Sequence, residues 1–268
     1  MSPAESFTVL DGDPRSPVIL HVPHSATAIP GWVRDRIVLD DAALDVELGH
    51  MTDAGTDTVA YAAASDAARR PWLLVNRLSR LVVDPERFPD QREEMRQVGM
   101  GAVYTRTSHG EALRRVDPAH EQHLLETYYD PYAEALTTVV DERLTATGGA
   151  VIIDVHSYPV RRLPYELHPT RRRPTVFLGV DEQHTPGWLL AAATIAFAQV
   201  GDVVINEPFA GTYVPLHHHD AGDTRVASVM IELRRRTSAE SMPRTDPLPP
   251  GAAQALASLV DAATDRPW

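Results

Sequence analysis

Pro17-Val-Ile-Leu-His-Val-Pro23 and Ala150-Val-Ile-Ile-Asp-Val-His-Ser157 decide how this chain folds. Each is a short, nearly continuous apolar run with β-branched residues, bounded by proline or glycine. Such a run suits a strand covered on both faces. Each also delivers a His-Ser pair at its carboxyl end, His24-Ser25 and His156-Ser157. Shorter strands are predicted at 72–75, 81–83, 175–180, 203–205 and 226–233. Helices are predicted over 39–61, with Asp40 or Asp41 as N-cap and Leu44, Leu48 and Met51 on one face. Further helices are predicted over 117–147, 187–200 and 251–263. Pro131 should kink or break the long one near Asp130, and Gly148-Gly149 should stop it. Residues 88–110 read as a long loop, and 243–250 as a proline-rich connector. Strand and helix alternate, which argues an α/β fold with helices on both faces of a mixed sheet. No composition break or repeat divides the 268 residues, so one domain over 1–268 is expected.

Composition narrows the chemistry. Lys+Arg is 25 and Asp+Glu is 37, a net charge of −12. That balance argues against a nucleic-acid or anionic-membrane partner, because both are held by neutralising phosphates. No run approaches the ~18 apolar residues of a membrane span. Residues 1–13 lack the basic-then-apolar pattern of a signal peptide, so a cytoplasmic protein is expected. Cysteine is absent, which excludes disulfides, thiolate metal sites and thiol nucleophiles. Any metal must be held by His, Asp or Glu.

Ligands of open α/β sheets sit at the carboxyl ends of strands. His24, His156 and, within the last strand, Glu232 lie there. Two histidines at equivalent strand ends point to a metal, and catalytic zinc commonly takes two His and one carboxylate. Asp45 and Glu47 are the candidate acids. Two residues apart on a helix they face different ways, and Glu47 lies beside the apolar set. Asp154, two residues before His156, points to the same side of its strand and is placed to orient a ligand. Asn206 and Tyr213 flank the turn at Gly211 and are expected to line the pocket. Adjacent residues diverge, so His217-His-His219 is read as a surface loop rather than a site. Arg171-Arg-Arg173 is read as a solvated loop.

A set of ordered motifs carries a resemblance. They are Val22-Pro-His-Ser25, Glu47-Leu with Met51-Thr-Asp53, Arg77-Leu-Ser-Arg80, Val83-Asp-Pro-Glu-Arg-Phe88, Tyr129-Asp-Pro-Tyr132, Ile153-Asp-Val-His-Ser-Tyr-Pro159, Asn206-Glu-Pro-Phe-Ala-Gly-Thr-Tyr213 and Met230-Ile-Glu-Leu-Arg234. Across about 17–236 the chain resembles the N-formylglutamate amidohydrolase family, and more widely zinc carboxypeptidases and acylamino-acid deacylases. The resemblance implies a phosphorylase/hydrolase-like three-layer sandwich. It also implies zinc held by His24, Glu47 and His156, with Glu232 as general base. In the wider group the first His and the Glu stand three residues apart; here the separation is 47 − 24 = 23. Asp45 and His50 therefore stay open as alternatives to Glu47. Arg87 matches a substrate-carboxylate arginine of the deacylases, while Glu86 replaces their asparagine. Arg77 and Arg80 are candidates for the remaining positive charge.

The resulting expectation is a zinc amidohydrolase acting on a small-molecule N-acyl amino acid, with N-formyl-L-glutamate first and histidine degradation as its setting. Another divalent metal would suit the same ligands. The rival readings are a deacylase or carboxypeptidase-like hydrolase of another substrate, a non-catalytic binder on the same fold, and a scaffold with satisfied histidines.

Overall fold

The computed structural model describes residues 2–167, 172–236 and 248–266. Seven strands form one sheet: β1 Phe7–Leu10, β2 Val18–Val22, β3 Trp72–Asn76, β4 Ala150–Tyr158, β5 Val176–Gly179, β6 Val203–Ile205 and β7 Val226–Arg234, in the order β1-β3-β2-β4-β7-β5-β6. The helices are α1 Gly31–Arg34, α2 Asp41–Met51, α3 Thr56–Asp66, α4 Pro118–Leu124, α5 Asp130–Thr147, α6 Gly187–Phe197, α7 Leu216–Ala221 and α8 Ala252–Thr264. β3, β2, β4 and β7 run parallel in the middle. β1 joins β3, and β5 joins β7, antiparallel, so the sheet is mixed. β2 and β4 are buried along their whole length, as their unbroken apolar runs require.

Alternation along β2 sorts the two covering layers. Val18, Leu20 and Val22 pack with Ala60 of α3, Leu189 and Phe197 of α6 and Leu256 of α8. Ile19 faces the other way, against Leu136, Val139 and Val140 of α5. Helices thus cover both faces in a three-layer α/β sandwich.

Several elements differ from their expectations, each for a local reason. The helix over 39–61 is two helices. Asp40 caps α2 by accepting from the Ala43 N–H, as read. The helix then stops at Thr52, because the Asp53 N–H donates to the His24 carbonyl at 3.0 Å instead of continuing the ladder. Gly55, at φ 84°, restarts the chain as α3. The strand over 81–83 is a buried turn in which the Ser79 hydroxyl oxygen accepts from the Leu81 N–H. The helix over 117–147 stays helical past Pro131 by widening into a π turn at Leu125–Tyr129, which absorbs the missing proline N–H. β1 was hidden in a polar terminus because it is a four-residue, half-buried edge strand. The three consecutive histidines lie on α7 rather than a loop, with His218 buried between Asp141 and Asp223. Arg171 and residues 243–247 of the proline-rich connector lie outside the described residues. Among those described, no helix is long and apolar enough to cross a membrane.

Candidate active site

Parallel pairing puts the carboxyl ends of β2, β4 and β7 on one edge of the sheet. His24 follows β2, and His156 near the end of β4 lies in register with Glu232 of β7. The break between α2 and α3 carries Asp53 to the same point. Nδ1 of His156 lies 3.0 Å from Oδ2 of Asp53, Nδ1 of His24 lies 3.3 Å from Nδ1 of His156, and Nδ1 of His24 lies 3.7 Å from the same Asp53 oxygen. Donors ~2.0–2.1 Å from a tetrahedral zinc stand about 3.3 Å apart, so the triangle has the size of one face of such a site.

The outer atoms of the imidazoles explain why the inner ones are available. Nε2 of His24 donates to Asp84 at 2.9 Å. Nε2 of His156 faces Asp154 at 3.1 Å and Glu86 at 3.3 Å. Asp84 anchors Nε2 of His24, and both Nδ1 atoms turn inward, that of His156 donating to the Asp53 carboxylate and that of His24 facing His156 and Asp53, so that a metal entering there would displace a proton. Asp84 is itself held by Arg80 at 2.7 Å and by the Tyr104 hydroxyl at 2.6 Å. Asp154 also meets Nδ1 of His21 at 2.9 Å, and Nε2 of His21 pairs with the Tyr132 hydroxyl. His24, Asp53 and His156 are all buried. Three lone-pair donors converging away from bulk water fit a divalent cation of the zinc class.

Charge bookkeeping points the same way. Burial raises the Asp53 pKa, but hydrogen bonds from His156 and His24 overcome it and hold the carboxylate well below its usual range. Burial works against charge on His156, yet Asp154 and Glu86 push its pKa well above the ordinary imidazole value. Burial moves Glu232 the other way, to about 8, with His156 opposing and Asp53 reinforcing the rise. One oxygen of Glu232 and one of Glu86 are buried without a hydrogen bond.

A cavity of about 550 Å³ opens over this centre, lined among others by His24, Asp53, Arg80, Glu86, Arg87, His156, Tyr213 and Glu232. The structure therefore brings together His24, His156, Glu232, Arg80, Arg87 and Tyr213. Arg87 lies 3.6 Å from both Asp84 and Glu93, and its Nε makes no hydrogen bond. The Tyr213 hydroxyl is likewise buried and unpaired, and its ring lies against His21.

Glu47, with its alternatives Asp45 and His50, stands away from the His24–Asp53–His156 triangle, and Arg77 and Asn206 stand away from the cavity. Glu47 is buried on α2, but its carboxylate accepts from the Ser108 N–H and hydroxyl, in a group with His50 and His109 rather than with His24 and His156. Asp45 is exposed on the opposite face. His50 lines the cavity yet belongs to the Glu47 group. Arg77, one residue past β3, is exposed and reaches Thr8 of the edge strand β1. Asn206 sits at φ 53°, and its side-chain oxygen accepts from the Val180 N–H, tying the end of β6 to the end of β5. Asp154 comes within 3.1 Å of His156 Nε2 from the same side of β4. Asp53, Asp84 and His21 went unassigned. The signals were present: Asp53 stands two residues before the helix-breaking Gly55, and His21 shares the face of Ile19 inside a buried strand.

The family model of N-formylglutamate amidohydrolase matches residues 16–239. Among solved structures, an N-formylglutamate amidohydrolase from Ralstonia eutropha JMP134 is 21% identical, with 98% of this chain and 96% of that one covered and a TM-score of 0.74. A gene product of Agrobacterium tumefaciens is 20% identical, with coverage of 85% and 84% and a TM-score of 0.61. At such identities the likeness is one of fold. No curated protein matches the chain.

Proposed function

The chain belongs to the N-formylglutamate amidohydrolase family and is a hydrolase of amide bonds, and on that premise we propose a metal-dependent amidohydrolase of N-acylated acidic amino acids, with N-formyl-L-glutamate as substrate. Residues 1–268 are taken as its single domain. The observation carrying the proposal is the convergence of His24 Nδ1, Asp53 Oδ2 and His156 Nδ1 within 3.0–3.7 Å. We assign the metal to these three, with Asp53 in the place first expected for Glu47. Zinc bound there would supply Lewis acidity, polarising a carbonyl and lowering the pKa of water from about 15.7 toward roughly 7.

The chain's own groups account for the rest. Asp84 anchors Nε2 of His24 and directs its Nδ1 to the metal position, and Asp154, 3.1 Å from Nε2 of His156, would stabilise the same tautomer there once a metal displaces the proton on Nδ1. Glu232, beside His156 in register, is the base that takes a proton from water and returns it to the leaving amine nitrogen. Its high proton affinity suits the second half of that task. Arg87 has an unpaired Nε in the cavity wall and is the group to grip a substrate carboxylate, with Arg80 beside it. Tyr213 supplies an unpaired hydroxyl to the same wall. Glu86 favours keeping a second reading: an acidic side chain with a free oxygen faces the cavity and would bias the site toward another acyl group or amino acid.

The test is chelator-stripped protein assayed with and without added zinc against formyl, acetyl and succinyl derivatives of glutamate and neutral amino acids. Zinc-dependent release of formate from formylglutamate supports the proposal. Zinc-dependent turnover of a different derivative supports the second reading. Turnover indifferent to metal contradicts both.

A further inference from the structure

Glu47 and His50, drawn out by the sequence as candidate ligands, meet His109 in a separate cluster at the side of the cavity. Glu47 and His50 are one turn apart on α2, so they share a face. His109 comes from the 107–111 loop, which is pinned by Thr107 N–H donating to the Glu111 carbonyl. Ser108, between them, is fully buried. Its N–H donates to Glu47 Oε1 at 2.6 Å, which fixes the carboxylate. Its Oγ lies 2.8 Å from Glu47 Oε2, 3.1 Å from His109 Nδ1 and 3.3 Å from His50 Nδ1. His50 Nδ1 stands 3.7 Å from Glu47 Oε2. The Ser108 hydroxyl thus donates to Glu47 and lies within hydrogen-bond distance of both histidine Nδ1 atoms.

We infer that Glu47, His50 and His109, with the Ser108 hydroxyl as a fourth corner, form a second divalent-cation site of the zinc class. The donor distances of 2.8, 3.1, 3.3 and 3.7 Å bracket the roughly 3.3 Å edge of a tetrahedral zinc shell. Two imidazoles and one carboxylate select a borderline ion over calcium or magnesium. Glu47 is buried and oriented by Ser108, while His50 is half-buried and His109 exposed, so the ion reaches the site from solvent. The site shares no ligand with the His24–Asp53–His156 centre and does not depend on it.

Equilibrium dialysis of the full chain against zinc, read by elemental analysis, tests the inference. Wild type should hold two equivalents. His109→Ala, at an exposed loop position, should hold one and keep its circular dichroism spectrum. Ser108→Ala, which removes the fourth corner and the hydroxyl that orients Glu47, should weaken that equivalent by at least about 10-fold. Asp53→Asn should lose the other equivalent and retain this one. Wild type binding only one equivalent that His109→Ala leaves untouched would overturn the inference, as would two equivalents in His109→Ala. If Asp53→Asn keeps every equivalent while His109→Ala loses one, the second site stands and the catalytic-metal assignment fails.

Discussion

Asp53 and Glu232 are both buried carboxylates, yet their neighbours move their proton affinities in opposite directions. Two imidazoles face Asp53 and keep it ionised, whereas burial dominates at Glu232 and raises it to about 8. Glu232→Gln should lower kcat by about 10²–10⁴-fold while retaining the zinc that Asp53→Asn loses. Elemental analysis beside single-turnover kinetics checks both. A stability effect follows as well. In the metal-free protein the folded state binds a proton on Glu232 that the unfolded chain releases above its ordinary 4.5. That contribution is full below about 4.5 and is lost as pH rises toward 8, so stability should fall across this window. His24 and His156, also raised, tilt the curve the same way in both proteins. Glu232→Gln should therefore show a shallower decline in urea midpoint from pH 5 to 8; equal slopes would contradict the account. Arg87→Met should raise KM by roughly 10-fold or more with a smaller change in kcat, if its guanidinium grips the substrate carboxylate.

The decisive element is the interruption between α2 and α3. The sequence between Asp40 and Tyr61 carries enough helical pattern to read as one helix, and the N-cap at Asp40 is correct. What ends the helix is a hydrogen bond from Asp53 to His24, a residue 29 positions away (53 − 24), and no local pattern reports that. Gly55 was the visible trace, since φ 84° is costly for any residue with a Cβ. Gly55→Ala should cost about 1–2 kcal/mol and also weaken zinc binding, because the same turn carries Asp53. Zinc titration of the variant checks the link; a destabilised protein with unchanged zinc affinity would separate the turn from the site. The buried strands were readable for the opposite reason. Their pattern is set by burial on both faces, a property of the segment itself, and the two longest, β4 and β7, place His156 and Glu232 side by side. The turn at 81–83 has strand-like composition but is shaped by the Ser79 side chain, so its residues alone misled. The same locality explains the arginines: Arg80 and Arg87 reach the cavity, while Arg77, at the edge strand, does not.

For the whole molecule, the α/β class and the two strand-borne histidines were legible because both follow from periodicity and topology. Asp53, the third ligand proposed for the metal, was not, because its place depends on which loop crosses which strand end. Metal binding should couple to global stability. Zinc at about 100 times its dissociation constant should stabilise the fold by roughly 2.7 kcal/mol, raising the melting temperature by several degrees. Asp53→Asn should lose the contribution of the His24–Asp53–His156 site and keep that of the Glu47–His50–His109 site. The central claim is that His24, Asp53 and His156 surround one ion. A crystal structure of the zinc-loaded protein, with an anomalous difference map at the zinc edge, tests it most directly. The account predicts a peak about 2.0–2.2 Å from Nδ1 of His24, Nδ1 of His156 and an oxygen of Asp53, with Glu232 facing its open side. A map with no peak among those three atoms would contradict it.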